Sequence, residues 1–484
     1  MASSVKKNYI FNLLNSLTQV LLPLLTFPYA SRILLPDGIG HVNSFASIIN
    51  VITVCVSLGI PLYSIKLVAS IRDSAKQLSI TTCEVFCLHV ILTIIGYFVI
   101  ALLCFIVPQI NDDIPLFLLL SLSILFTTIG CEWFYQAVED FKYITIRGII
   151  VRLTSIIFLF LTVRTKQDIM WYAAFTVFGV LGSNIFNFIR LRNYINLQYV
   201  NFRSLNPFKH LKGVIKIFAF NIATSMYSQL NVVFLSFFIS DMVAGYYTSA
   251  QKLNMTVLTI SYTISNVMLP RLTNLIANHN NEKFRQMAQK SFDFSIAITL
   301  PMCVGMMFIS PYAIMLLSGE QFISAVSVSK IMSFTIFFIA ISNVMGVQML
   351  FPMGYMNKVV KCVTIGCLVD IIACVILIPV LKENGAALSY LLAEVSVTLS
   401  LFITGKKLLP LQYFKKSNLI YILAVIIMGI CLYFLSHLQI NYIVKLFVMI
   451  ISGVIVYFTV LFLCKEQFTN DIKQIVSNKL NSKN

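Results

Sequence analysis

Uncharged apolar stretches about 20 residues long recur from one end of this chain to the other, and they decide what it can fold into. Residues 11–31, 169–189 and 217–240 contain no Asp, Glu, Lys or Arg. A helix rises about 1.5 Å per residue, so about 20 apolar residues cross a hydrocarbon core of about 30 Å. With 58% hydrophobic and 11% charged residues, a soluble domain could not cover its own surface. Mean hydropathy is +0.88. An all-α polytopic membrane protein is expected.

Fourteen spans are predicted: 11–32, 40–65, 80–107, 114–135, 146–163, 168–189, 213–239, 244–269, 291–317, 322–350, 359–379, 385–404, 418–435 and 440–463. No cleavable signal is expected, because Lys6 and Lys7 precede a full-length span with no small-residue cleavage pattern. On this topology 26 of the 35 Lys and Arg fall in loops on one side, and only Arg32, Arg164, Lys166 and Lys382 on the other. The positive-inside rule then puts both termini in the cytoplasm. The net charge of +17 speaks of orientation and anionic lipid, not nucleic acid. Outer loops such as 108–113 and 241–243 are too short for a catalytic domain, so any function must lie within the helices.

The two halves are weakly alike. The first hairpin turns through Asp37-Gly38-Ile39-Gly40, and a later one through Asp241-Met242-Val243-Ala244-Gly245. This suggests lobes at 1–205 (helices 1–6) and 206–410 (helices 7–12), followed by two extra helices and a tail at 411–484. Pro23 and Pro28 within the first span predict a bend.

Ionisable groups inside spans are costly and usually face a wet cavity or a partner. Lys252 lies about a third of the way into the otherwise neutral stretch 244–269 and is the leading candidate for function, against a structural pair. Arg152 and Lys216 sit near an edge and are expected to snorkel. Among the acids, Glu84 and Asp293 should be solvated at the inner edge. Asp370 and Glu394, mid-span on neighbouring helices, could hold a proton or Na⁺ or make structural hydrogen bonds; Glu132 is a further acid within a span. Asn221, Thr224, Ser225, Ser228, Gln229 and Asn231 form a polar row suited to sugar hydroxyls or to interhelical bonds. Eleven cysteines lie almost wholly within spans without a Cys-x-x-Cys pair, and no metal is expected. No P-loop, Gly-rich dinucleotide turn, H-E-x-x-H or H-x-x-x-x-D pattern occurs, so no cofactor and no enzyme activity are expected.

Arg32-Ile33-Leu34-Leu35-Pro36-Asp37-Gly38-Ile39-Gly40 resembles the R-x-L-G-P-x-G-Y-G turn of Wzx-type polysaccharide-unit flippases, in the multidrug/oligosaccharidyl-lipid/polysaccharide exporter superfamily. Leu35 stands where the pattern has Gly, and Ile39 replaces an aromatic. Glu132-Trp133-Phe134-Tyr135-Gln136 with Glu139, Ala244-Gly245-Tyr246-Tyr247 with Gln251-Lys252-Leu253, Leu269-Pro270-Arg271, Gly319-Glu320-Gln321-Phe322 and Asn384-Gly385-Ala386-Ala387 keep the same order and spacing over residues 8–405. The resemblance implies a two-lobed bundle around a central cavity that alternates between inward-open and outward-open. Its members move undecaprenyl-diphosphate-linked oligosaccharide across the bacterial inner membrane for O-antigen, capsule or exopolysaccharide. It implies a cationic headgroup path of Lys252, Arg32, Lys66 and Arg271, with Gln229 and Asn231 toward the sugar. Asp370, Glu394 and Glu132 are the ion-coupling candidates. A polysaccharide polymerase and a chain-length regulator are the implied partners, besides membrane lipid. The alternatives are a drug/cation antiporter of the same superfamily, or a membrane polymerase or acyltransferase.

Overall fold

In hydrocarbon every backbone N–H and C=O needs an internal partner, so apolar runs of this length become helices. The computed structural model bears this out. Its described residues are 2–409, 411–413, 415–464 and 466; side chains at 2–17, 19–21, 180–181, 216–217, 219–228, 263–264, 266–267 and 416 lie outside the description. Among the described residues every regular element is helical, and ten helices are long and apolar enough to cross a membrane. Two of these ten, Leu22–Ile71 and Met356–Gly405, are 50 residues long; the backbone leaves the helix at Leu35 and again at Leu58–Gly59 in the first, and at Lys382 in the second. The chain is an all-α multi-pass membrane protein.

Two compact units divide the chain at Gly245/Tyr246. The first holds α1 (Ala2–Ser57), α2 (Ile60–Ile71), α3 (Ala75–Ile106), α4 (Pro108–Asn111), α5 (Ile114–Gly130), α6 (Glu132–Ala137), α7 (Phe141–Thr162), α8 (Ile169–Leu181), α9 (Ser183–Leu191) and α10 (Leu211–Phe238). Here α1 packs on α5, α7 and α10, and α5 on α8 and α9. Helix α11 (Asp241–Ala277) begins in this unit and continues into the second. There follow α12 (Asn281–Ser318), α13 (Ala325–Asn343) with a π-helical extension Val344–Leu350, α14 (Met356–Gly405), α15 (Lys416–Ser436) and α16 (Tyr442–Leu463). Within the second unit α12 packs on α13, α15 and α16, and α13 on α14.

The break in α1 falls at Leu35 (φ 61°, ψ 175°), not at Pro23 or Pro28, where helical φ/ψ continue. That corner of φ/ψ space is essentially reserved for glycine. It accounts for the Gly at this place in the family pattern.

The Glu132–Gln136 motif is also structural in part. Cys131, at φ 40°, breaks the helix between α5 and α6. The carbonyls freed there are taken up by α9: Asn187 Nδ2 donates to the Gly130 carbonyl at 2.7 Å and Asn184 Nδ2 to the Phe126 carbonyl at 3.0 Å. Tyr135 returns a bond to the Asn187 carbonyl at 2.6 Å.

Candidate functional site

The two turns that look alike in sequence meet in space. A Cβ on Gly40 would lie 1.7 Å from the Asp241 carbonyl oxygen and 2.7 Å from the Gly245 nitrogen. A Cβ on Gly245 would lie 2.0 Å from the Pro36 carbonyl oxygen. Each glycine is needed here for space, because the two backbones touch.

His41, one residue beyond Gly40, seals this junction. Its Nδ1 is 2.7 Å from Asp241 Oδ2 and its Nε2 is 3.2 Å from Asp113 Oδ2. Asp241 also accepts the Ser236 hydroxyl, while the Ser44 hydroxyl donates to the His41 carbonyl at 2.9 Å. Asp113 caps α5 through the Leu116 amide. The His41 ring leans on Phe45, centroids 4.8 Å apart, and Phe45 on Phe117. A carboxylate only accepts, so two carboxylates on one imidazole are both satisfied when both ring nitrogens carry protons. The side chains are only 23–37% exposed, so these charge-assisted bonds are partly shielded from water.

A pH dependence follows. The junction is complete while both ring nitrogens of His41 carry protons, and it loses one of its two bonds when the ring deprotonates at higher pH. A hydrogen bond to a charged group contributes about 1.5–3 kcal/mol. Thermal stability of the wild type in neutral detergent is therefore expected to fall across this transition, and the His41→Gln variant is expected not to share that fall. Equal pH slopes for both proteins would remove His41 from this role.

The predicted headgroup residues are placed as follows. Arg32 and Lys66 are exposed, and Arg32 donates from Nη1 to the Pro28 carbonyl at 2.7 Å. Asn231 is fully buried and Gln229 half-buried on α10. Side chains of Asn221, Thr224, Ser225 and Ser228 lie outside the described residues, as does that of Lys216. Lys252 is half-buried on α11, a helix braced on both sides of it. Ser249 bonds Ser318 at 2.6 Å, and Asn254 Nδ2 donates to Ser329 Oγ at 3.0 Å. Arg271 is exposed and lines a groove of about 650 Å³ with Lys283 and Lys290.

Asp370 and Glu394 are buried in the two arms of α14. Those arms pair antiparallel. Gly366 packs on Ala393 and Val397, and Cys362 Sγ is 3.6 Å from Thr404 Oγ1. That register sets residue 370 level with 393–394, so the structure brings the two acids to one height. Glu132, at the start of α6, is half-buried and belongs to the first unit.

Three expectations need correction. Glu84 is buried, not solvated: it accepts from the Asn206 amide at 3.1 Å, from Lys209 Nζ at 2.5 Å and from His210 Nε2 at 3.3 Å. Burial holds the His210 imidazole below its usual value, and its Nδ1 accepts the Tyr63 hydroxyl at 2.9 Å. Asp293 is paired with Lys415 at 2.7 Å. Arg152 does not simply snorkel, since Nη1 donates to Thr18 Oγ1 at 2.9 Å. Sequence reasoning also missed the His41–Asp113–Asp241 cluster. It missed a buried polar chain too, in which Ser291 donates to Gln348 Oε1 at 2.6 Å and Gln348 Nε2 to Ser265 at 2.7 Å.

Comparison with known proteins adds the context. Residues 5–276 match the family described as polysaccharide biosynthesis protein. A protein of Shigella dysenteriae named "Putative O-antigen transporter" is 25% identical over 82% of this chain and 98% of its own length. One of the same name from Escherichia coli (strain K12) is 25% identical over 84% of this chain and 98% of its own. Among solved structures, the lipid II flippase MurJ in an inward closed conformation superposes with a TM-score of 0.71 at 18% identity, covering 96% of this chain and 99% of MurJ. An inward-facing multidrug resistance MATE transporter gives 0.64 at 12% identity, over 81% of this chain and 94% of its own. These likenesses fix the fold.

Proposed function

Because the chain belongs to the polysaccharide biosynthesis protein family, we propose that it is a flippase for lipid-linked oligosaccharide, a transporter and not an enzyme. In this role it carries undecaprenyl-diphosphate-linked repeat units from the cytoplasmic to the periplasmic leaflet of a bacterial inner membrane by alternating access. Both termini are cytoplasmic, and the repeats are 1–205 and 206–410, with 411–484 as the added helices. The near-complete coverage of two O-antigen transporter relatives is the observation that carries this. Physical need agrees with it. A diphosphate and its sugars lose tens of kcal/mol of hydration in bare hydrocarbon unless charged partners replace water.

Lys252, Arg32, Lys66 and Arg271 are assigned to the diphosphate, and Gln229 and Asn231 to the sugar. Asp370, Glu394 and Glu132 are assigned to cation coupling; transport indifferent to pH, Na⁺ and membrane potential in proteoliposomes would remove them. The Gly40–Gly245 junction is assigned to closure at the periplasmic side, where the short loops lie. A polymerase and a chain-length regulator act on the delivered unit.

The test is a deletion strain. Synthesis of the repeat unit should continue, surface polysaccharide should disappear, and single lipid-linked units should accumulate on the cytoplasmic leaflet. Loss of a polymerase would leave single units at the surface. Loss of a drug antiporter would alter toxin tolerance and leave the polymer intact. Normal surface polymer in a strain with no second flippase gene would end the proposal.

A further inference from the structure

A groove of about 650 Å³ runs between the start of α7 and the end of α9, and its charge is lopsided. Lys142, Arg147, Arg190 and Arg192 line it, against the one carboxylate of Asp140. Asp140 is already engaged: its Oδ2 accepts from Arg190 Nη2 and from the Tyr194 hydroxyl, both at 2.9 Å. Arg190 is further held over the Tyr143 ring, 4.0 Å from its centroid.

Arg147 is in a different position. The residue is only 9% exposed, and its Nε and Nη1 have no hydrogen-bond partner among the described residues. It lies 5.5 Å over the same Tyr143 ring. Glu132 is the carboxylate whose field reaches it, but no ion pair joins the two among the described residues. A guanidinium held this way, out of water and without an acceptor, is costly unless something outside the protein supplies one.

The surroundings say what that is. Ile146, Ile150, Phe186 and Ile189 line the same groove and are 43–56% exposed on helices long and apolar enough to cross a membrane. One end of the groove thus suits acyl chains and the other a phosphate. We propose that this groove binds the headgroup of an anionic phospholipid, with Arg147 as the fork on the phosphate oxygens and Arg192 and Lys142 as supporting charges. Basic pockets beside spanning helices recognise such headgroups, and a planar guanidinium matches the phosphate better than an ammonium. The lipid comes from the leaflet on the side of the basic loops.

The test uses the full-length protein in nanodiscs of phosphatidylcholine with a minor fraction of phosphatidylglycerol, and reads retained lipid by native mass spectrometry. Wild type is expected to retain phosphatidylglycerol in preference to phosphatidylcholine. Arg147→Gln and Arg192→Gln are each expected to weaken that retention about fivefold. Arg192 is exposed, so its variant decides the matter if the Arg147 variant fails to fold. Unchanged selectivity in Arg192→Gln would overturn the proposal. So would displacement of phosphatidylglycerol by inorganic phosphate, or by geranylgeranyl diphosphate at concentrations below that of the phospholipid, since the groove would then hold free phosphate or a transported diphosphate.

Discussion

Replacing Gly40 with valine is expected to abolish transport while the protein still reaches the membrane. The added Cβ would fall 1.7 Å from the Asp241 carbonyl oxygen, a backbone atom that no rotamer change can move aside. Overpacking of this kind costs about 1–3 kcal/mol. At the upper end that shifts a two-state closure by about a hundredfold. Gly245→Ala is expected to act in the same direction, because its Cβ would meet the Pro36 carbonyl oxygen at 2.0 Å. Gly305→Ala, with nothing within 4 Å of its added carbon, is the neutral control. The readouts are surface polysaccharide in a complemented deletion strain and protein level in the membrane. Full complementation by Gly40→Val would show that the two turns do not need to close on each other.

The second large effect is expected at Lys252. On the proposed path its ammonium meets a diphosphate, and a charge-assisted contact is worth about 1.5–3 kcal/mol. Lys252→Ala should therefore slow transport by about ten- to a hundredfold, with insertion intact. Lys252→Arg should keep part of the activity if charge alone matters, since it remains cationic but cannot match the compact geometry of an ammonium. Ser249 and Asn254 brace α11 on both sides of residue 252, so the alanine variant is expected to stay folded, and a melting curve checks this. Wild-type rates in Lys252→Ala would take this residue off the path.

The helices were legible because lipid leaves a long apolar run only one way to satisfy its backbone; fourteen spans were expected, and ten helices among the described residues are long and apolar enough to cross a membrane. The two turns were legible as motifs, through Asp37-Gly38-Ile39-Gly40 and Asp241 to Gly245. Their contact was not. Closeness of two backbones leaves no mark on a sequence except a glycine, which has many other uses. His41, Asp113 and Asp241 each read singly as polar residues at a loop edge, and they are 72 and 200 positions apart. Glu84 was misread for a related reason. Its position near a helix end suggested water, but the connector after α9 folds back and supplies the Asn206 amide, Lys209 and His210 as partners. For Asp370 and Glu394 the register of a hairpin can be counted along the sequence, and both side chains are buried. The polar row on α10 is only partly within the described side chains.

The span of the His41 contacts also sets an order of assembly. A ribosome adding about 5–20 residues per second needs about 10–40 s to make the 200 positions between His41 and Asp241. Through that interval the first hairpin already sits in the bilayer with the Gly40 face uncovered. Asp113 arrives first, 72 positions after His41, and offers the ring one carboxylate while α5 to α10 are still to be made. The nascent chain thus carries a half-made joint from early in its synthesis, and α11 completes it on emergence. A chain stalled before residue 241 would leave that face open to whatever insertion factor or lipid stands beside it.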